Sequence, residues 1–365
     1  ELAEGGTGLI DEISVQLPAG TLGKVFGARF LKGELDRLFQ FRHRRLLTDL
    51  ARHARYLEAP RLTVAITGSS GLVGRSLTDF LTTGGHKVIR LVRDPNSVGH
   101  GRIYWDPQIG ELDLEGLAAA DAVVNLAGVP IADRPWTASR KRSIRGSRIE
   151  GTSLLSRALK DLKDGPRALI SSSAVGYYGN QIQECIGEDF KRGTGFLSDV
   201  CDAWEKATEP AEKAGIRVAH IRTGIVLSSG GGALQRLLLP FIMGLGGRLG
   251  SGDQFLSWVD VDDVVGAIHH ILMSETLDGP INVTAPNPVT NSVFTSTLGL
   301  VMRRPTVIPI PRFVLSTIFG QMGREALLEG QSVFPKKLKD SGFEFFYEGL
   351  EDSLRFQLGR MNISR

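Results

Sequence analysis

The stretch TGSSGLVG, residues 67–74, carries three glycines at the spacing of a phosphate-binding loop. Gly68 allows a tight turn, Gly71 lets the backbone approach a pyrophosphate, and Gly74 lets a helix pack closely on a sheet. The free N–H groups at the start of such a helix bind an anion. An apolar strand precedes the stretch and a helical pattern follows it, as the motif requires. The sequence therefore predicts a dinucleotide site, the alternative being an ordinary glycine-rich turn.

The end of the second apolar stretch indicates which dinucleotide fits. In a NAD site an Asp or Glu about 20 residues past the glycines bonds the ribose 2′-OH. Here Arg93 takes that place and is followed by Asp94 and Pro95. An arginine suits a 2′-phosphate because it offers charge-assisted hydrogen bonds. The sequence favours NADP over NAD; in the alternative, Arg93 is a surface residue and Asp94 opens a turn.

Other residues near predicted strand ends complete the expected cofactor cleft. Asp106 could accept a hydrogen bond from the adenine amino group with Trp105 packed nearby, or the stretch WDP could be a turn closed by Asp-Pro. Ala127 and Gly128 are small where a ribose must approach the backbone. The predicted cofactor-binding residues are Gly68, Ser69, Ser70, Gly71, Leu72, Val73, Gly74, Arg93, Trp105, Asp106, Leu126, Ala127, Gly128, Ser172 and Gly224.

The stretch GGRLGSGDQFLSWVDVDDVV, residues 246–265, supplies candidates for binding a substrate. Its glycines allow close backbone approach. Arg248, Gln254 and Trp258 offer a cation, an amide and a stacking face. We expect these three side chains to bind a small-molecule substrate.

Asp260, Asp262 and Asp263 form an acidic cluster that resembles a metal site. However, no histidine or fourth ligand lies at metal-binding spacing. Asp262 and Asp263 precede an apolar helical pattern, and acidic residues are favoured at the start of a helix. The sequence therefore predicts a helix N-terminus here and no metal.

The elements that must position these residues alternate as in a doubly wound parallel sheet. LTVAIT, HKVIRLV, ADAVVNLAG, RALISSSA and IRVAHIRTGIVL have the pattern of buried strands, and helical stretches separate them. After about residue 230 the pattern is irregular and rich in glycine and proline. We predict an α/β fold, with a Rossmann-type sheet over residues 62–230 and a smaller substrate-binding lobe over residues 231–365. Some segments of the lobe return to the sheet.

Residues 1–57 form a segment ahead of the predicted sheet. Residues 9–17, LIDEISVQL, have a strand pattern, and a turn at Pro18 precedes a long amphipathic helix that runs to about Leu57. One strand and one helix cannot bury a core alone. The segment is therefore a docking appendage or the tail of another domain, and residues 57–62 act as a linker.

Composition limits the classes of partner. The net charge of +3 over 365 residues gives no case for nucleic acid, and the basic run RHRR fits a solvated helix face. No apolar run reaches the roughly 18 residues that a membrane span needs. Two cysteines make neither a disulfide framework nor a metal site. We expect a cytoplasmic monomer or homodimer that acts on a small molecule, with no nucleic-acid or membrane partner.

Taken together, the motifs carry a family resemblance. TGSSGLVG, NLAG, SSSAVGYYG and SWVDVDD resemble the extended short-chain dehydrogenase/reductase superfamily, to which sugar-nucleotide epimerases and dehydratases belong. The stretches NLAGVPIADRPWTASRKRSIRGSRIEGT, RTGIVLSSGGGAL and NVTAPNPVTN are similar to its branch of predicted nucleoside-diphosphate-sugar epimerases. The likeness runs from Leu62 to about Leu358. The first 57 residues resemble the tail of a START-like, polyketide-cyclase-type domain.

The resemblance implies a proton-transfer set of Asn, Ser, Tyr and Lys, and this chain replaces three of the four. Ser173 takes the serine position, with Ser172 as the alternative register. Cys201 stands where the tyrosine is expected, Glu205 where the lysine is expected, and Arg148 where the asparagine is expected. Because a nearby carboxylate raises the pKa of a thiol, we expect Cys201 to be a small buried side chain rather than an acid.

The substitutions allow two hypotheses about Glu205. Arg148 and Glu205 could pair at the nicotinamide end of the cleft, where Glu205 positions a substrate or acts as a general base. Alternatively, the pair is a salt bridge that closes an abandoned site. Tyr178 matches a tyrosine that packs under the cofactor, whereas Tyr177 could reach the site. The predicted catalytic residues are Ser173, Glu205, Tyr177 and Arg148.

Two classes of function follow. The first is an NADP-dependent, epimerase-like oxidoreductase that acts on a hydroxyl- or carbonyl-bearing substrate, with a nucleoside-diphosphate sugar as one candidate. The second is a catalytically silent NADP-binding sensor or interaction module. Residues 246–265 favour the enzyme, and the replaced tyrosine and lysine favour the module.

Overall fold

A computed structural model describes residues 10, 12–14, 20–181 and 185–361, without the side chains of residues 20–30. The strand predicted over residues 9–17 lies mostly outside this description, and its described residues form no strand. The turn predicted at Pro18 also lies outside it. A helix begins at Gly20 and ends at Ala54, three residues before the predicted end at Leu57.

The helices and strands follow the predicted alternation. The helices are α1 (Gly20–Ala54), α2 (Leu72–Thr83), α3 (Leu114–Ala118), α4 (Ala138–Asp161), α5 (Phe196–Lys206), α6 (Glu209–Lys213), α7 (Gly232–Ile242), α8 (Val261–Met273), α9 (Asn291–Met302), α10 (Arg312–Gly323), α11 (Lys336–Asp340) and α12 (Leu350–Gln357). The strands are β1 (Thr63–Thr67), β2 (Lys87–Val92), β3 (Arg102–Asp106), β4 (Glu111–Leu112), β5 (Ala122–Asn125), β6 (Ala168–Ala174), β7 (Arg217–Thr223), β8 (Ile225–Leu227), β9 (Phe255–Leu256), β10 (Trp258–Asp260), β11 (Gly279–Val283) and β12 (Val289–Thr290). Short 3-10 helices span Pro95–Ser97 and Val175–Tyr178, and a π-helical turn spans Arg324–Leu328.

One sheet of eight strands has the order β11-β7-β6-β5-β1-β2-β3-β4. Its neighbours pair in parallel, except β3 and β4, which are antiparallel. From β1 the chain builds outward through β2 and β3 on one side, and through β5, β6 and β7 on the other. In such sheets ligands bind beyond the carboxyl ends of the strands, where the order reverses. The predicted Rossmann-type α/β fold is confirmed.

Helices cover both faces of the sheet, which explains why its strands are nearly continuous apolar runs. On one face Leu77 of α2 and Ile268 of α8 pack against Ile66 of β1. On the other face Leu117 of α3 and Leu155 of α4 pack in a second core. These two cores fix the ends of the central strands, where the candidate site lies.

A third core lies in the C-terminal part of the chain. Helices α7, α9 and α12 contribute Phe241, Leu298 and Leu354, and Trp258 of β10 is fully buried among them. Small two-stranded sheets, β8 with β10 and β9 with β12, join this core. Strand β11 instead pairs with β7 at the edge of the main sheet.

The chain divides into two compact units, residues 1–46 and residues 47–365. This boundary precedes the expected one at residue 57, because residues beyond Leu46 contact the sheet's own helices. Arg52, for example, donates to Asp263 of α8 at 2.5 Å. The second unit contains both the predicted sheet and the substrate lobe predicted over residues 231–365. No described helix contains a stretch long and apolar enough to cross a membrane.

Candidate active site and cofactor cleft

The loop between β1 and α2 has the shape of a phosphate cradle. Gly68 adopts φ +64°, and a Cβ added there would lie 2.8 Å from the Leu126 carbonyl carbon. A Cβ on Gly74 would lie 2.2 Å from the Gly68 carbonyl oxygen, so the helix and loop meet without room for a side chain. Gly71 precedes α2, and no side chain caps this helix. The N–H groups of its first turn therefore remain free for an anion, as a dinucleotide's pyrophosphate requires.

A buried hydrogen-bond chain holds the neighbouring strand ends together. Thr67 donates from Oγ1 to Asn125 Oδ1 at 2.7 Å, and Asn125 Nδ2 donates to Thr152 Oγ1 at 2.8 Å. Thr67 Oγ1 also accepts from the backbone N–H groups of Leu126 and Ala127 at 3.0 and 3.1 Å. These bonds bend the chain away from β5 and place Leu126 and Ala127 beside the glycine loop. The sequence did not single out Thr67 for this role.

Arg93 lies exposed at the end of β2. No described residue forms a hydrogen bond or ion pair with its guanidinium. Asp94 is instead engaged locally, since its carboxylate accepts from the Asn96 backbone at 3.0 Å and from Ser97 Oγ at 3.0 Å. Asp94 therefore opens a turn, and Arg93 remains the free group at this strand end.

The two residues proposed near the adenine have different surroundings. Trp105 is 3% exposed and packs in the core against Gly151, so its ring does not present a stacking surface. The alternation of β3 turns Trp105 inward, and its packing near the adenine stays a prediction. Asp106 is half-buried, and its Oδ1 accepts from the Gln108 backbone at 2.9 Å.

The predicted proton-transfer residues meet an unpredicted arginine at the ends of β6 and β7. Arg222 Nε donates to Glu205 Oε1 at 2.9 Å, and Arg222 Nη2 donates to Glu205 Oε2 at 2.8 Å. Ser173 Oγ donates to Glu205 Oε1 at 2.6 Å. The side chains of Arg222 and Glu205 are 4% and 12% exposed. Burial alone would lower the pKa of Arg222, but the hydrogen bonds and charge of Glu205 outweigh burial and raise it.

Arg222 also organises the two tyrosines. Its guanidinium lies 3.6 Å from the ring centroid of Tyr177, and its Nη1 donates to the Tyr178 hydroxyl at 3.0 Å. Tyr178 in turn donates to Asn282 Oδ1 at 2.7 Å, and burial raises its pKa to about 12. Tyr178 is thus a structural residue. The hydroxyl of Tyr177 has no hydrogen-bond partner among the described residues.

The predicted pair of Arg148 and Glu205 is wrong. Arg148 Nη1 donates to the carbonyls of Val129 at 3.1 Å and Ile144 at 3.0 Å, and its guanidinium lies 5.0 Å from the Trp204 ring. These contacts hold the side chain of Arg148 against its own helix, α4, whereas Glu205 pairs with Arg222 of β7. An arginine inside the apolar strand pattern IRVAHIRTGIVL is the signal that could have revealed Arg222.

Cys201 lies one helical turn before Glu205 and is 4% exposed. Burial and then the charge of Glu205 raise the pKa of its thiol to about 11. It is protonated near neutral pH and points into packed side chains. Cys201 is therefore a small buried side chain, as predicted.

The three predicted substrate residues differ in exposure and in their hydrogen bonds. Arg248 is exposed, and no described residue pairs with its side chain. Gln254 uses its Nε2 to donate to the carbonyls of Leu249 at 3.1 Å and Leu327 at 2.9 Å. Trp258 is fully buried and donates to Asn287 O at 3.0 Å. The prediction that Trp258 offers a stacking face is wrong, because its ring is needed in the C-terminal core.

The acidic cluster is structural, as predicted. Asp260 caps α8 by accepting from the Asp262 backbone at 2.9 Å, and it also accepts from Ser353 Oγ at 2.6 Å. Asp263 accepts from Arg52 and from the backbone N–H groups of residues 346 and 347. The cluster fixes the start of α8 and the segments packed on it.

Three histidines from distant parts of the chain meet in the unit of residues 47–365. His53, His86 and His269 are 7%, 3% and 1% exposed, and each brings one ring nitrogen within 4.8 Å of the other two. Leu62 N–H donates to His86 Nδ1 at 3.0 Å, so neutral His86 carries its proton on Nε2, which is buried and has no hydrogen-bond partner among the described residues. A metal needs a lone pair from each ligand. Metal binding by all three rings would therefore require His86 to lose the proton on Nε2.

This histidine cluster makes stability depend on pH. Burial, with nearby positive charge, lowers the pKa of His86 to about 4 and that of His269 to about 3. Below about pH 6.5 the unfolded chain binds protons that the folded chain does not, so the free energy of unfolding should fall as pH drops. His269→Phe keeps an aromatic ring but removes one titrating group. We expect urea denaturation of this variant to show a smaller loss of stability between about pH 7 and pH 5.

The matched control for that prediction is His100→Gln, since His100 is exposed. Its pH dependence should equal that of the parent. An equally steep loss of stability in the parent and in His269→Phe would show that the cluster does not govern this dependence.

Comparisons with known proteins agree with the fold. The model of the NAD dependent epimerase/dehydratase family matches residues 64–283, and that of a domain of unknown function matches residues 310–357. An epimerase family protein of Mycobacterium bovis is 43% identical over 297 residues, which span 81% of this chain and 98% of that protein.

Two solved structures are similar over most of the chain. A human epimerase family protein, solved with NADPH, has a TM-score of 0.73 and 34% identity, over 82% of this chain and all of that one. A nucleoside-diphosphate sugar epimerase from Corynebacterium glutamicum has a TM-score of 0.76 and 35% identity. That match covers 90% of this chain but only 65% of the Corynebacterium chain.

Proposed function

Because this chain belongs to the NAD dependent epimerase/dehydratase family, we propose that it is an NADP-dependent oxidoreductase of the epimerase type. Its substrate carries a hydroxyl or carbonyl group. The description of the Corynebacterium relative supports a nucleoside-diphosphate sugar as the substrate class. Two free thiols, Cys185 and Cys201, support a reducing compartment such as the cytoplasm.

The phosphate cradle is the observation that supports cofactor binding. Gly68 and Gly74 let the loop pack closely on the end of β5 and on α2, Gly71 carries no side chain at the start of α2, and the uncapped start of that helix offers N–H donors. Exposed Arg93 would bind the 2′-phosphate that distinguishes NADP from NAD. The human relative solved with NADPH supports the same choice. The cofactor, when bound, would supply or accept a hydride.

The buried group of Ser173, Glu205 and Arg222 supports proton handling beside that hydride. The Ser173 hydroxyl donates a hydrogen bond to Glu205. The lone pairs of the Ser173 oxygen can therefore accept a hydrogen bond from a substrate hydroxyl. Removal of the substrate's proton would pass the Ser173 proton to Glu205. Arg222 holds both oxygens of Glu205 and keeps the carboxylate in place. In the reverse direction Glu205 would return its proton through Ser173 to the substrate oxygen, and Tyr177, whose hydroxyl has no partner among the described residues, can donate a hydrogen bond to that oxygen.

A silent NADP-binding module is the second candidate, and one observation favours it. Glu205 already accepts three hydrogen bonds, and Ser173 is 4% exposed. A closed ion pair of this kind could be what remains of an abandoned site. Both candidates share the cofactor, so they differ only in turnover.

We expect the protein to bind NADPH about 10- to 100-fold more tightly than NADH, because a charged hydrogen bond is worth about 1.5–3 kcal/mol. Arg93→Ala should remove most of this preference by weakening NADPH alone. Fluorescence titration of both cofactors measures the ratio. A suitable control is Arg90→Ala, in the middle of the same strand, which should keep the preference. Equal affinity of the parent for NADPH and NADH would contradict the NADP assignment.

A further inference from the structure

Two segments of the C-terminal part, residues 231–250 and residues 299–323, run side by side and expose large apolar side chains. Leu249 forms a parallel bridge with Ile310, whose N–H donates to the Arg248 carbonyl at 2.8 Å. The Gly250 N–H donates a hydrogen bond to the Ile310 carbonyl at 2.9 Å. Six of the exposed apolar residues of these segments form what we name the apolar ridge; Leu239, Leu300 and Ile318 are also exposed there but are not counted in it. It comprises Ile242, Met243, Leu245, Val307, Ile308 and Phe313, which are 53%, 56%, 56%, 82%, 57% and 71% exposed.

The two segments that carry the apolar ridge contain arginines and no acidic residue, and from outside them Glu329 lies near enough to Arg312 to interact with its charge. Residues 231–250 contain two arginines, residues 299–323 contain three, and neither segment contains Asp, Glu or Lys. Arg304 Nε donates to the Ile242 carbonyl at 2.9 Å, which joins the two segments. No described acidic residue forms an ion pair with any of the five. These arginines are Arg236, Arg248, Arg303, Arg304 and Arg312, and all five are exposed.

Exposed apolar surface beside unpaired positive charge limits the kind of partner. Contiguous apolar patches on a protein surface mark interaction sites. A second copy binding ridge to ridge would bring arginines against arginines, and such like-charge contact opposes association. An anionic lipid surface instead offers phosphates to the arginines and an apolar layer to side chains such as Val307 and Phe313.

We propose that the apolar ridge and its five arginines bind the surface of an anionic phospholipid membrane. The contact is peripheral: Val307 and Phe313 enter the headgroup region and the arginines remain at the phosphates. It departs from the expectation of no membrane partner that composition suggested, because the net charge of +3 hides the local clustering. This binding goes beyond the proposed reaction and does not depend on it.

Vesicle flotation of the full chain tests the proposal. The protein is mixed with vesicles of phosphatidylcholine, or of phosphatidylcholine with an equal part of phosphatidylglycerol. We expect it to float with the anionic vesicles only, and to float less as salt rises toward about 0.15 M, where the Debye length falls to roughly 8 Å. Failure to float with the anionic vesicles at low salt would overturn the proposal.

Paired variants separate the ridge from the rest of the surface. Val307→Ser with Phe313→Ser should abolish flotation, whereas Ile109→Ser with Leu114→Ser should not, although these residues are also exposed. Arg303→Gln with Arg312→Gln should lower vesicle binding by roughly 25-fold, about five-fold per arginine. Arg102→Gln with Arg157→Gln, which makes the same change in net charge, should bind like the parent.

Two further measurements make these variants decisive. Circular dichroism and NADPH titration should match the parent for every variant, which shows that the fold and the cofactor site are intact. Ridge variants that float as well as their controls would overturn the proposal. So would sedimentation of the parent as a dimer that the Val307→Ser, Phe313→Ser variant converts to monomer, since a second copy would then cover the ridge.

Discussion

A Gly71→Val variant is expected to fold normally and to lose NADPH binding, with an affinity decrease on the order of 100-fold or more. The backbone at Gly71 has φ −75° and ψ 176°, a conformation that valine adopts readily. A Cβ there would lie 3.2 Å from the Gly68 carbonyl oxygen, a contact that a small shift relieves. The remaining methyl groups would stand over the N–H donors at the start of α2. Fluorescence titration with NADPH measures the loss.

The choice of Gly71 separates binding from folding. Valine at Gly74 would place its Cβ 2.2 Å from the Gly68 carbonyl oxygen, so that variant would disturb the core itself. Gly33→Val is the matched control, because a Cβ at Gly33 meets no atom within 4 Å. It should bind NADPH like the parent. A Gly71→Val protein with native circular dichroism and unchanged NADPH affinity would show that this loop does not hold the pyrophosphate.

The fold could be predicted because its signals are local. The apolar runs that became β1, β2, β5, β6 and β7 are short and bounded by turn residues, as buried parallel strands require. The phosphate loop could also be predicted from the sequence, because the spacing of glycines between a strand and a helix reflects backbone geometry. The boundary between the two units was harder to predict from the sequence. Residues 47–57 continue a helical pattern, and only contacts such as Arg52 with Asp263 show to which unit they belong.

The candidate site was only partly predictable, because charge pairing depends on distant neighbours. Glu205 and Ser173 were named from the sequence, but the partner of Glu205 is Arg222 on β7 rather than Arg148 on α4. Spacing places residues on elements but does not say which strands become adjacent. The error at Trp258 has a related cause, since an aromatic residue in a glycine-rich stretch fits a buried core as well as a ligand surface. The histidine cluster draws on three separate elements and has no local signal.

Ser173→Ala is the second variant for which we expect a large effect, a fall in turnover on the order of 10²-fold or more. The change removes the hydroxyl that lies between a substrate oxygen and Glu205. It leaves the Glu205–Arg222 ion pair intact, so the buried arginine keeps its partner. Glu205→Gln would be harder to interpret, because breaking a buried ion pair can itself cost about 3–5 kcal/mol of stability. NADPH affinity should change little in Ser173→Ala.

Cys201→Ala is the matched control, since Cys201 is a small buried residue beside Glu205 and burial raises the pKa of its thiol, which stays protonated near neutral pH. It should turn over like the parent. The assay follows NADPH oxidation with an aromatic quinone as probe, and epimerisation with UDP-glucose as probe. If the parent binds NADPH yet converts neither probe, and Ser173→Ala behaves identically, the buried ion pair closes a silent site. If instead the parent turns over and Ser173→Ala keeps its full rate, the proton passes through Tyr177 rather than through Ser173 and Glu205.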